Sequence, residues 1–159
     1  MMDYAAAVIA CERDRASMSM LIASFMFVPL LAVFFAHLLW AMGRSWPIHD
    51  RKLLAETVIG TPGIESVPRL PALIVAIGIL AAGIVALALA DHTSGGIGLS
   101  ILGIICAAIF LSRGFAGYTA GWAEKTPNPN FRLNDRRVYS PLCLFLGAGF
   151  LALVVMRLV

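Results

Sequence analysis

The sequence predicts an all-α fold, an integral membrane four-helix bundle, and three observations carry that prediction. The 159 residues are 60% hydrophobic and only 13% charged, where soluble domains average about 45–50% and about 25%. The mean hydropathy is +0.89, and the apolar residues gather into four long runs. Those runs are continuous rather than alternating. That marks helices and not barrel strands, because in hydrocarbon a helix satisfies every backbone polar group within the segment.

The first run covers residues 17–42, the second 70–90, the third 97–118 and the fourth 139–158. A hydrocarbon core of roughly 30 Å needs about 20 helical residues. The first, second and fourth runs meet that length unbroken. The third is unbroken only from Ile97 to Ser112, so it takes Arg113 in or stops short. Residues 1–16 read as an N-terminal extension of mixed charge, and Met18 and Met20 offer alternative starts. The first run is longer than the apolar core of a signal peptide, so it is expected to be a retained helix.

The breakers agree with these limits. Pro68 and Pro71 stand at the start of the second helix, where a missing N–H costs little. The segment DHTSGG, from Asp91 to Gly96, predicts a tight turn that makes the second and third helices an antiparallel hairpin. The connection between helices one and two carries Gly43, Pro47, Gly60, Pro62, Gly63 and Pro68, and TPNPN follows helix three, so both are expected as loops. The two long loops hold nine of the twelve Lys and Arg residues and the opposite side three. The positive-inside rule then places the long loops in the cytoplasm and both termini outside, as in a multi-pass protein of a cell (inner) membrane.

Several function classes drop out. The net charge of +3 lies in loops and forms no basic stripe with interleaved aromatics, so no nucleic-acid partner is expected. Cys11, Cys106 and Cys143 are odd in number and lack metal spacing, and His37, His49 and His92 share no site. No metal or cofactor is therefore expected. Neither phosphate-loop nor dinucleotide glycine motif is present.

The connectivity brings the end of helix one, the start of two, the end of three and the start of four to one face. His37, Trp40, Arg113, Tyr139, Ser140 and Cys143 belong to those ends, with Asp135 at the start of helix four, where an acid suits the helix dipole. The sharp reading is a polar cleft at the cytoplasmic side. There His37 is acid/base or ligand, Arg113 a fixed cation, Tyr139 and Ser140 hydroxyl donors and Cys143 a thiol. The plainer reading makes Trp40, Trp46 and Tyr139 an interfacial aromatic belt. It also makes Arg113, about 5 Å inside the membrane, a snorkelling cation. His37, about 9 Å down, needs a polar partner, and a hydrogen bond to a neighbouring helix suffices.

The segments HLLWAMGRSWP (His37–Pro47), LAETVIGTPG (Leu54–Gly63), SRGFAGY (Ser112–Tyr118) and FRLNDRRVYSPLCLFLG (Phe131–Gly147) occur in order. Together they resemble a bacterial family of small four-helix membrane proteins, domain of unknown function 3995, over nearly the whole chain. The resemblance implies the four-helix topology and no activity. It also implies His37, Trp40, Trp46, Pro47, Gly60, Pro62, Arg113, Gly114, Asp135, Tyr139, Pro141 and Cys143 as characteristic positions without assigned roles. Three functions stay open: a protein that binds a lipid or small amphiphile or docks a partner at the cleft, an intramembrane enzyme on a lipid- or quinone-like substrate, and an oligomeric transporter. Membrane lipids are expected contacts, and a homo-oligomer or a membrane-protein partner stays open.

Overall fold

Seven α-helices and one π turn make up the described structure. The computed structural model describes residues 2–91 and 95–158, with side chains from residue 10 onward. His92 and part of the expected DHTSGG turn lie outside the described residues.

Helix α1 (Met2–Ala41) runs unbroken through the segment read as an extension. AAAVIACERDRAS contains neither Gly nor Pro, and Glu12 precedes Arg15 by three, so nothing local stops the helix. It passes Pro29 without ending, as spanning helices can when their surroundings re-satisfy the backbone. It closes in a Schellman motif: Arg44 N–H donates to Leu39 O at 2.9 Å and Gly43 N–H to Trp40 O at 2.9 Å. Gly43 supplies the left-handed φ of 80° that this cap requires.

The long connection that the sequence reading left without structure holds α2 (Arg51–Val58). Asp50 caps it, accepting from the backbone N–H of Lys52 at 2.8 Å and of Leu53 at 3.1 Å. Leu54 and Ala55 are buried while Arg51 and Lys52 face out. Helices α3 (Arg69–Ala90) and α4 (Gly96–Ala116) match the second and third runs to within two residues. The following connection folds into α5 (Ala120–Lys125), capped by Thr119, and α6 (Pro129–Asn134), capped by Asn128. A π turn (Asp135–Tyr139) then leads into α7 (Ser140–Leu158). The π turn has a local cause in Pro141, which cannot donate to Arg137 O and whose ring crowds that carbonyl. The helix widens there, and Ser140 N–H reaches back five residues to Asp135 O.

Four helical stretches are long and apolar enough to cross a membrane: Ala10–Ala41, Arg69–Ala90, Gly96–Ala116 and Pro129–Leu158. Large apolar side chains cover their outer surface, with Phe25 71% and Ile97 76% exposed. A water-facing surface would not be built that way, so the fold is an all-α, multi-pass membrane bundle.

The four spans form two intimate pairs, α1 with α3 and α4 with α7. Small residues make the second pair close. A Cβ at Gly147 would stand 2.9 Å from Leu111 N, and one at Gly114 would stand 3.0 Å from Leu144 N. Between lipid-facing helices, where apolar burial is no driving force, such close backbone approach supplies the packing. The pairs meet over a shared core in one half of the bundle, built on Met26, Leu89, Phe150, Leu153 and Val154. Phe110 and Phe150 stack there at 5.8 Å. In the other half, where the long connections lie, the pairs stand apart.

Candidate functional site

The space between the separated halves is a cavity of about 590 Å³. Every spanning helix contributes to its wall: Val33, His37 and Trp40 from α1, Val75, Gly78 and Ile79 from α3, Cys106, Ile109 and Arg113 from α4, and Leu142 and Cys143 from α7. Val58 of α2 and Tyr139 of the π turn close it toward the connections. Leu30, Ala82, Phe110 and Leu146 line its inner end and also belong to the packed core. The wall is mostly aliphatic and aromatic, and its few polar groups sit near the loop end.

One of those groups is fixed from behind by a buried carboxylate. Asp135 is 0% exposed. Its Oδ1 accepts from Arg113 Nη2 at 2.8 Å and from Ser140 Oγ at 3.1 Å, and its Oδ2 accepts from Trp122 Nε1 at 2.9 Å. Asp135 and Ser140 are five residues apart, a spacing that a regular α-helix splays apart and the widened π turn brings together. Arg132 Nη1 lies 3.9 Å from Oδ2 and donates to Gly117 O at 3.3 Å. Two guanidinium groups therefore share one carboxylate, leaving the cluster a net single positive charge. The Arg113 guanidinium also lies 4.8 Å over the Trp122 ring. Its Nη1 is buried, and nothing among the described residues accepts from it. A buried charge-bearing donor without an acceptor is costly, and this one belongs to a side chain in the cavity wall.

The other polar groups are held in definite orientations. His37 Nδ1 lies 2.9 Å from Val33 O on its own helix. A carbonyl only accepts, so Nδ1 is the protonated nitrogen, and in the neutral ring Nε2 keeps its lone pair. Trp40 packs on His37 with ring centroids 4.7 Å apart and donates from Nε1 to Trp46 O at 2.8 Å. Tyr139 donates to Thr57 O at 3.4 Å, which ties the π turn to α2. The same contact region holds Phe131, buried between Trp122 and Tyr139 at 6.4 Å and 6.0 Å. Gly60 sits against that ring with φ 73°, and a Cβ there would overlap Phe131.

Of the residues singled out from the sequence, His37, Trp40, Arg113, Tyr139 and Cys143 line the cavity. Asp135 and Ser140 do not; they stand behind Arg113. Asp135 is not at a helix start either, since α6 and the π turn continue the helix ahead of it, so dipole compensation does not account for it. Arg113 is paired and stacked rather than snorkelling, because Asp135 and Trp122 offer it partners within the protein. Likewise Trp40 and Tyr139 turn into the cavity wall, and of the expected aromatic belt only Trp46 is well exposed, at 59%. Its bond to Pro47 is cis. His37 bonds within its own helix and, among the described residues, not across to another. Gly114 and Gly147 set the α4–α7 approach, Pro141 shapes the π turn, and Pro62 lines a separate surface pocket with Gly63 and Glu65.

Trp122, Arg132, Phe131 and Cys106 are not among the site residues expected from the sequence. Trp122 and Arg132 sit in segments read as loop, and no spacing rule connects them to Asp135. Phe131 could have been found beside Asn128 and Pro129, which signal a helix start. Among the described residues no group of His, Cys, Asp and Glu is arranged to hold a metal ion.

A family model described as "Protein of unknown function (DUF3995)" matches residues 29–150. No curated protein and no solved structure matches the chain.

Proposed function

The chain belongs to the DUF3995 family of proteins of unknown function, and on that premise we propose that it binds a lipid or small amphiphile in the cavity between its two helix pairs. The observation that carries this reading is a largely apolar cavity of about 590 Å³ whose wall includes the side chains of Arg113, His37 and Tyr139. Ligand sites are commonly about 300–1,000 Å³, apolar, with a few well-placed polar groups. The aliphatic wall takes the apolar body, and the Arg113 side chain, His37 Nε2 and the Tyr139 hydroxyl supply the polar contacts. The binding face lies at the cytoplasmic side of a bacterial inner membrane if the nine-to-three division of Lys and Arg sets the topology.

Native mass spectrometry of protein gently extracted from its own membrane tests the proposal. The expected result is a bound small molecule of defined mass on the wild type. Gly78 lines the cavity, and a Cβ there meets nothing within 4 Å, so Gly78→Phe fills the space and is expected to leave the protein folded and empty. A wild-type chain that neither retains nor takes up an amphiphile refutes the reading.

A further inference from the structure

We propose that the ligand carries a phosphate-bearing head, held outside the apolar cavity by Arg44, Arg51 and Arg69; this rests on the binding function proposed above and adds the chemical class of the ligand. Those arginines line a second, smaller pocket of about 200 Å³. It is built where three elements meet: the cap of α1 gives Gly43 and Arg44, the first turn of α2 gives Arg51, and the start of α3 gives Pro68 and Arg69. Trp40 lines this pocket and the large cavity alike. A single amphiphile can therefore place its head in one and its chain in the other, past one indole whose orientation the bond to Trp46 O fixes.

Three features mark the small pocket as an anion site. Its lining contains three guanidinium groups and no carboxylate. None of the three is ion-paired among the described residues, where both ion pairs belong to Asp135. The adjacent Asp50 is directed elsewhere, its Oδ1 taken by two backbone N–H groups at the start of α2. The geometry also makes room for one guanidinium: a Cβ at Gly43 would stand 2.8 Å from Arg69 Nη2. The cap glycine thus serves the pocket as well as the helix end.

Ser66 adds a hydroxyl group to the lining, and Ser45 lines it too, with its hydroxyl donating to His49 O at 3.0 Å. Several guanidiniums arranged around one small space suit the multiple oxygens of a phosphate, which accepts paired N–H donors from more than one side. A third pocket on the same face serves as an internal contrast. Lys52 lines it together with Glu56 and Glu65, so carboxylates outnumber the one cation there.

The test compares two single-chain amphiphiles of equal acyl length, oleoyl lysophosphatidic acid and mono-oleoylglycerol, with inorganic phosphate as a third probe. The full chain is held in dodecyl maltoside micelles, which carry no phosphate, and bound ligand is quantified by native mass spectrometry. The wild type is expected to bind the phosphate-headed amphiphile at least about tenfold more tightly than the neutral one. Arg44→Gln with Arg51→Gln is expected to abolish that preference while leaving the affinity for mono-oleoylglycerol unchanged. Arg69, which packs on Gly43, is kept in this variant so that the α1 cap is undisturbed. The single variant Arg51→Gln, on the exposed first turn of α2, repeats the comparison should the double variant misfold; it is expected to reduce the preference. Equal binding of the two amphiphiles by the wild type overturns the headgroup assignment while leaving the cavity reading intact. Failure of both to bind overturns both. A preference that survives in the arginine variants, or inorganic phosphate binding as tightly as the phosphate-headed amphiphile, separates the arginine pocket from the cavity and overturns the proposal.

Discussion

Replacing Arg113 with methionine removes the one strong cationic partner of a carboxylate that has no access to solvent. Breaking a buried ion pair from one side typically costs about 3–5 kcal/mol, because the remaining charge is left uncompensated. Two features of this site place the expected loss at the low end, about 3 kcal/mol. Arg132 Nη1 remains 3.9 Å from Oδ2 and can partly take over, and the Arg113 side chain is itself 31% exposed, so less desolvation is bound up in the pair. Asp135→Asn keeps one oxygen acceptor but presents amide N–H groups to donors, for a loss of about 1–3 kcal/mol. With the carboxylate already neutral, losing Arg113 leaves no stranded charge. The double variant is therefore expected to be no less stable than Arg113→Met alone, a coupling of about 2 kcal/mol. The assay is reversible unfolding in mixed micelles of rising sodium dodecyl sulfate fraction, followed by far-ultraviolet circular dichroism, which does not depend on Trp122. Additivity of the two substitutions within about 0.5 kcal/mol, or a loss below about 1 kcal/mol for Arg113→Met, is the behaviour of a surface pair. Either result refutes the claim that this buried carboxylate fixes Arg113 from behind.

Two further outcomes test other parts of the structure. Gly60→Ala combines a left-handed backbone, φ 73°, with overlap on the buried Phe131 ring, and should cost about 2–4 kcal/mol in the same unfolding assay; an unchanged midpoint would show that the two long connections do not depend on that contact. Cys106 and Cys143 line the cavity whereas Cys11 is exposed on α1. A bound amphiphile should slow N-ethylmaleimide labelling of the first two and leave the rate at Cys11 unchanged, and equal rates with and without the amphiphile would place it elsewhere.

The spans were legible in the sequence because the constraint behind them acts locally: each stretch in hydrocarbon has to be long, apolar and helical in its own right. So was the gathering of His37, Trp40, Arg113, Tyr139 and Cys143 at one end, since four antiparallel helices joined in order allow only that arrangement. What escaped depends on contacts between distant segments. Arg113 and Asp135 are 22 residues apart, and their meeting needs both the close α4–α7 approach at Gly114 and the widened turn ahead of Pro141. Neither follows from a periodic pattern. Asp50 before RKLLAETV was a readable start signal for α2, but the many Gly and Pro residues around it dominated the reading of that connection. In the same way, the polar residues were expected to share one cleft. Burial divides them instead into those that face the cavity and those that hold Arg113 in place.

The inner end of the cavity belongs to the packed core: Leu30, Ala82, Phe110 and Leu146 are at once its floor and part of what joins the two helix pairs. Under the amphiphile binding proposed above, that floor would work as a length gauge. A guest anchored near Arg113 can reach inward only as far as those four side chains permit, and trimming or enlarging any of them would reset the gauge and, in the same stroke, alter how firmly the halves are hinged. Selectivity for chain length and rigidity of the bundle are then one property under a single set of residues, and evolution could tune neither without moving the other.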